Sequence, residues 1–157
     1  MNVLFLDFGG VLNHGIFQEI DPECIKNLNS LVSWGKAKVV LSTAWRCECS
    51  VQELRDLLHG WGAEVDVIGA TPEVNFIDPE FDPEALLPDA RIVEIRAWLD
   101  AHPEVDKFVV LDDNDIRQDV NFDIKSDPEI ERCFVQTDPR QALSLDAAAR
   151  ALMVLES

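Results

Sequence analysis

The feature that most constrains this chain is a set of short, unbroken apolar runs, each of which stops on polar residues. Val3-Leu4-Phe5-Leu6 stops at Asp7, Lys38-Val39-Val40-Leu41 at Ser42-Thr43, and Phe108-Val109-Val110-Leu111 at Asp112-Asp113. Such runs are too short for helices, and their lack of polar alternation means that both faces of each strand are buried. Val65 to Ile68 is read as the third strand in chain order, and Cys133-Phe134-Val135 as the fifth.

The segments between them carry helical signals. Asp21 with Pro22 behind it forms an N-cap and first helical position, followed by Ile25, Leu28, Leu31 and Val32 on one face and Gly35 at the end. Ser50-x-x-Glu53 is a capping box ahead of Leu54, Leu57, Leu58 and Trp61. A third helix is expected from near Asp89, with Ile92, Ile95 and Leu99 turned inward until Pro103 stops it, and a last one over Ala147 to Leu155. Residues 115 to 131 suggest a short helix and loop, and 69 to 88 a loop rich in proline and acids, placed to act as a lid or specificity segment. Trp34, Trp61 and Trp98 are read as packing residues. Buried strands alternating with helices predict an α/β fold in three αβα layers, with one parallel five-stranded sheet in a single domain over residues 1–157.

Composition narrows the setting. A chain of 157 residues with 47% hydrophobic residues can bury a real core. No run approaches the roughly 18 apolar residues of a membrane helix, and no basic region precedes the first apolar run, so no membrane partner and a cytoplasmic location are expected. The formal charge of −17 disfavours long nucleic acids as partners. Cys24, Cys47, Cys49 and Cys133 form no C-x-x-C pair and read as reduced thiols; Cys47 and Cys49 with His59 lack zinc-finger spacing.

In a parallel sheet with right-handed crossovers, ligands gather beyond the carboxyl ends of the strands. Asp7, Ser42 and Asp112-Asp113 should therefore share one edge, faced by Arg91 in the first turn of the third helix. Any one of them could be structural: Asp7 or Ser42 could cap a turn, and Arg91 could pair with Glu94. Together, three carboxylates need a cation, and an all-oxygen cluster suits Mg²⁺, which keeps waters and leaves room for a substrate phosphate. Ser42 and Arg91 could then hold the remaining phosphate oxygens. Trp45 and Arg46 offer a platform by stacking and phosphate contact, with Trp45 equally readable as core.

These residues carry a resemblance. Phe5-Leu6-Asp7-Phe8-Gly9-Gly10-Val11-Leu12 resembles the first motif of the haloacid-dehalogenase-like (HAD) hydrolases, hhhDxDGxL; Val39-Val40-Leu41-Ser42 resembles the second, Arg91 the basic third, and Val109-Val110-Leu111-Asp112-Asp113 the fourth. Ser42-Thr43-Ala44-Trp45-Arg46 and Arg91-x-x-Glu94-Ile95-x-x-Trp98-Leu99 are most similar to the small capless HAD domains of RNA-repair proteins. The resemblance implies a HAD-like Rossmannoid sheet of order 3-2-1-4-5 without a large cap. It implies a Mg²⁺-dependent phosphohydrolase with Asp7 as nucleophile, and Ser42 and Arg91 as catalytic groups. Ser42, Thr43, Arg46 and Arg91 would bind substrate, while Asp7, the Gly9 backbone carbonyl, Asp112 and Asp113 would hold the metal. The expected partner is a phosphorylated small molecule or the phosphorylated end of a macromolecule.

One position departs from that pattern. Gly9 stands where the phosphatases have a second aspartate, the group that protonates the leaving group and activates water. Its absence implies turnover lower by roughly 10² to 10⁴ unless another group, with His14 the only one nearby, takes over. Three explanations stay open: an inactivating change in a phosphatase, a HAD-like domain that binds without hydrolysing, or chemistry that needs no second acid. The last is the way of dehalogenases and phosphonate-cleaving relatives, whose sizeable caps have no counterpart in the short loops of this chain.

Overall fold

The strand that begins the chain becomes the centre of the sheet because both of its faces are apolar. In the computed structural model, β1 (Asn2–Leu6) is followed by α1 (Pro22–Gly35), β2 (Ala37–Leu41), a 3-10 turn at Ala44–Cys47 and α2 (Val51–Gly60). Then come β3 (Val67–Ala70), α3 (Arg91–Asp100), β4 (Lys107–Asp112) and a second 3-10 turn at Ile116–Asp119. The chain closes with α4 (Pro128–Arg132), β5 (Phe134–Gln136) and α5 (Leu145–Glu156). The structure describes residues 1–15, 19–73, 91–119 and 126–157.

The five strands are parallel in the order β3-β2-β1-β4-β5, the expected α/β arrangement. Successive side chains point to opposite faces. Leu4, Leu6, Val39, Leu41, Val109 and Leu111 pack into one core with α1, α2 and α5, while Val3, Phe5, Val40, Phe108 and Val110 pack into the other with α3 and α4. Full burial of each such side chain is worth about 1.5–3 kcal/mol, and neither face tolerates a polar one. α1 approaches α5 closely through Gly35, where a Cβ would lie 2.6 Å from Leu155.

Local signals set the helix starts. Asp21 caps α1 through Glu23 N–H, Ser50 and Glu53 form the reciprocal capping box of α2, and Ser144 caps α5. Several boundaries move from their predicted places. β3 starts at Val67, not Val65; β5 spans Phe134–Gln136 rather than 133–135; and α5 runs from Leu145 to Glu156. Trp98 is buried in α3 as a packing residue with Leu99 partly buried against the same core, while Trp34 is 75% exposed rather than packed. The predicted start of α3 near Asp89, and most of the acidic 69–88 loop with its lid role, fall outside the described residues.

Candidate active site

Register brings the polar strand ends to one level. Leu6 pairs with Leu41 on one side and with Leu111 on the other, so Asp7, Ser42 and Asp112 follow at the same height across three neighbouring strands. The backbone ladder continues into them: Ser42 N–H donates to Leu6 O at 2.9 Å, and Asp7 N–H to Leu111 O at 3.2 Å. Asp7, Asp112 and Asp113 present carboxylate oxygens within 4.8 Å of one another. The predicted cluster is therefore assembled by sheet register alone.

Arg91, the first described residue of α3, reaches over this group. Its Nη1 lies 2.8 Å from Asp112 Oδ2 and 3.2 Å from Asp7 Oδ1, and both ion pairs are buried. Asp7 Oδ1 also accepts from Phe8 N–H at 2.9 Å. Burial, joined by the charge of Asp113, pushes the Asp7 carboxyl above the usual carboxylate range against the opposing pull of Arg91. Burial first, and then the charge of Asp7, push Asp112 up to about 8 despite Arg91. Were all three carboxylates ionised, one guanidinium would leave two negative charges uncompensated in a largely buried space, which is why burial favours their protonated forms in the absence of a cation. That deficit fits a divalent cation bound by oxygen ligands.

Two observations mark where a ligand would complete the site. Ser42 is 2% exposed, and its Oγ is the buried side-chain polar atom without a hydrogen-bond partner among the described residues. A buried hydroxyl left unpaired costs about 1–3 kcal/mol, which a bound acceptor such as a phosphate oxygen would recover. No donor among the described residues takes the Gly9 carbonyl oxygen. A Cβ at Gly9 would meet nothing within 4 Å, so the position where the HAD pattern has its second acid opens onto free space. Gly10 is the opposite case: its φ of +73° favours glycine, and a Cβ there would lie 2.4 Å from Asp113 Oδ2.

Other predicted site residues are placed differently. Thr43 is buried and caps the Ala44–Cys47 turn through Trp45 N–H, a structural task for its hydroxyl oxygen. Arg46 does not point at the cluster as a phosphate contact; Nε donates to Thr71 O, Nη1 to Thr43 O, and Nη2 to Glu94 Oε2 at 2.5 Å. Trp45 is 40% exposed and stands edge-on to Phe8 and Trp61. His14 is held by Asp21 at 2.7 Å and by the Pro139 and Arg140 carbonyls, which engages both ring nitrogens away from an acid-base role. Cys47, Cys49 and His59 form no ligand group among the described residues.

Sequence reading missed Thr137 and the buried pairing of Glu94 with Arg46. Thr137 follows β5, donates from Oγ1 to Gly10 O at 2.8 Å and from N–H to Asp112 O at 3.0 Å, and so props both motif loops. It obeys the same strand-end rule, but the strand was placed one residue early. Glu94 lies one helical turn from Arg91 and is 4% exposed, which its charge gave no reason to expect.

Against known proteins, residues 3–148 match the family described as the HAD domain in Swiss Army Knife RNA repair proteins. No curated protein and no solved structure matches the chain.

Proposed function

This chain belongs to the family of HAD domains in Swiss Army Knife RNA repair proteins, and from that premise we propose that it is a Mg²⁺-dependent phosphomonoesterase that works slowly. The observation that carries the reading is the meeting of Asp7, Asp112, Asp113, Arg91 and the unpartnered Ser42 hydroxyl at one sheet edge.

Asp7 is the nucleophile. Its Oδ1 is engaged by Phe8 N–H and Arg91, which leaves Oδ2 to attack phosphorus. The bond to the ester oxygen breaks, the leaving group departs with that electron pair, and water then hydrolyses the aspartyl-phosphate to phosphate and free Asp7. Ser42 Oγ–H donates to a phosphate oxygen, and Arg91 neutralises charge on the transferring group while it favours the ionised form of Asp7 against the effect of burial. Asp7, Asp112, Asp113 and the Gly9 carbonyl would hold Mg²⁺, which supplies Lewis-acid neutralisation of phosphate charge when bound.

The side chain missing at Gly9 sets the rate. No carboxyl there protonates an alkoxide leaving group or activates water, so poor leaving groups suffer most. The substrate is a phosphorylated small molecule or a phosphorylated macromolecule end, such as the RNA ends that the family description suggests. The net charge of −17 weighs against contact with a long polyanion. The location proposed is the cytoplasm.

The test compares p-nitrophenyl phosphate with glycerol phosphate in Mg²⁺ for the natural chain, Gly9→Asp and Asp7→Asn. Gly9→Asp is expected to raise glycerol phosphate hydrolysis by roughly 10² or more and the activated ester by less, because nitrophenolate leaves without a proton. Asp7→Asn abolishes both. Absence of turnover in every variant would sink the phosphatase reading. Gly9 itself favours a second reading, a phosphate-binding module without turnover. Mg²⁺ and phosphate binding with no gain of activity in Gly9→Asp would establish that instead.

A further inference from the structure

Beside the carboxylate cluster, on the β4–β5 side of the same sheet edge, lies an open pocket of about 640 Å³. Asp113 forms its boundary with the active site, and the pocket is lined by Gln136 at the end of β5 and Thr137 just past it. Three arginines line it too: Arg117 from the Ile116–Asp119 turn, Arg140 from the loop after β5, and Arg150 from α5. In a chain with 13 basic against 30 acidic residues, three guanidiniums from three separate segments meet on this one pocket, alongside the carboxylates of Asp113 and Asp138.

Each arginine is oriented by a neighbouring acid but not used up by it. Arg117 donates from Nε and Nη2 to Asp115, Arg140 from Nε and Nη2 to Asp138, and Arg150 from Nε to Asp146. Among the described residues, nothing takes Nη1 of Arg117 or Arg140, nor either Nη of Arg150. All three side chains are half or more exposed, so these pairs contribute little to stability and leave donors facing solvent. Forked guanidiniums held in place with free N–H groups suit a tetrahedral oxyanion.

We propose that this pocket is a second anion subsite, which holds the distal phosphate of a bisphosphorylated substrate while its other phosphate lies against Asp7. The inference rests on the phosphatase reading for the role of Asp7, and it narrows the substrate class from any phosphomonoester to a compact bisphosphate. A compact ligand meets the arginines without laying further phosphates on the acidic surface beyond them. A sugar bisphosphate and a nucleoside bisphosphate share this chemistry, and their matched monophosphates lack it.

The experiment is calorimetric titration with Mg²⁺ in the Asp7→Asn background, so that turnover neither consumes ligand nor enters the readout. Adenosine 3′,5′-bisphosphate is compared with adenosine 3′- and 5′-monophosphate, and fructose 1,6-bisphosphate with its two monophosphates. At least one bisphosphate is expected to bind about tenfold tighter than its monophosphates, the worth of one good charge-assisted contact; the pair that shows it identifies the source. Arg117→Gln with Arg140→Gln brings that ratio close to one, and Arg150→Gln alone lowers it. Ratios below about threefold for both pairs, or a preference that survives the arginine changes, overturn the subsite. Failure of p-nitrophenyl phosphate hydrolysis bears on the nucleophile alone, since the binding ratio needs no turnover.

Discussion

At Asp112 two demands collide: the residue is fully buried, yet a metal site needs its charge. Without a cation, burial and Asp7 raise its carboxyl to about 8, so the folded metal-free protein favours the protonated form. The unfolded chain ionises near the ordinary value of about 3.9, and stability is therefore present at low pH and lost as pH rises through the window from about 4 to 8. Asp7, raised in the same direction, adds to the loss. Thermal melts in chelator should show Tm falling between about pH 5 and pH 8. Saturating Mg²⁺, or Asp112→Asn, should remove most of that fall. A flat profile in chelator would show that the carboxylates are not crowded as described. The sequence made this cluster legible, because three strand ends carried acids or a hydroxyl. It could not reveal that Gly9 faces open space while Gly10 touches Asp113, because both are glycines in one motif and differ only in surroundings.

The turn at Ala44–Cys47 and helix α3 are joined by the Arg46–Glu94 pair, whose side chains are each 5% exposed. Arg46 also ties the turn to Thr71 after β3, so it positions the segment that carries Ser42 instead of meeting phosphate. Removal of one partner leaves a buried charge uncompensated, at a cost of about 3–5 kcal/mol. Glu94→Gln should lower unfolding free energy in urea by roughly that amount, and Arg46→Met with Glu94→Leu should recover much of it. A loss under about 1 kcal/mol for the single change would mean that the pair is solvated. Most elements followed from capping and apolar runs, but their edges did not always. Val65 is buried yet precedes β3, because apolarity reports burial and not ladder pairing; hydrogen bonding to β2 begins only at Asp66 O. Trp34 was read as packing from its size, although at about 100° per residue it falls on the flank of the stripe formed by Leu28, Leu31, Val32 and Gly35.

Across the whole molecule, 30 acidic and 13 basic residues surround the proposed phosphate site. Long-range repulsion should slow the approach of an anionic ester, and salt should relieve it, since the Debye length shrinks to about 10 Å at 0.1 M. For a monophosphate, kcat/KM is expected to rise several-fold from about 20 to 200 mM KCl at fixed Mg²⁺, the reverse of usual electrostatic steering. A fall over that range would mean that the arginine pocket dominates the field at the entrance. Sheet order was legible because parallel topology permits few arrangements. The arginine pocket was not, since Arg117, Arg140 and Arg150 stand on separate segments with no shared motif. The pairing of Asn2 in β1 with Lys107 in β4 also bears on how the chain is made. A ribosome adds more than a hundred residues between those two partners, and until then Val3 to Leu6 form an apolar segment with one sheet neighbour missing. Closures over such spans fold slowly and leave the nascent chain dependent on shielding from aggregation. Asp7 likewise emerges long before Asp112 and Asp113, so a chain whose translation stalls early lacks the carboxylate cluster altogether.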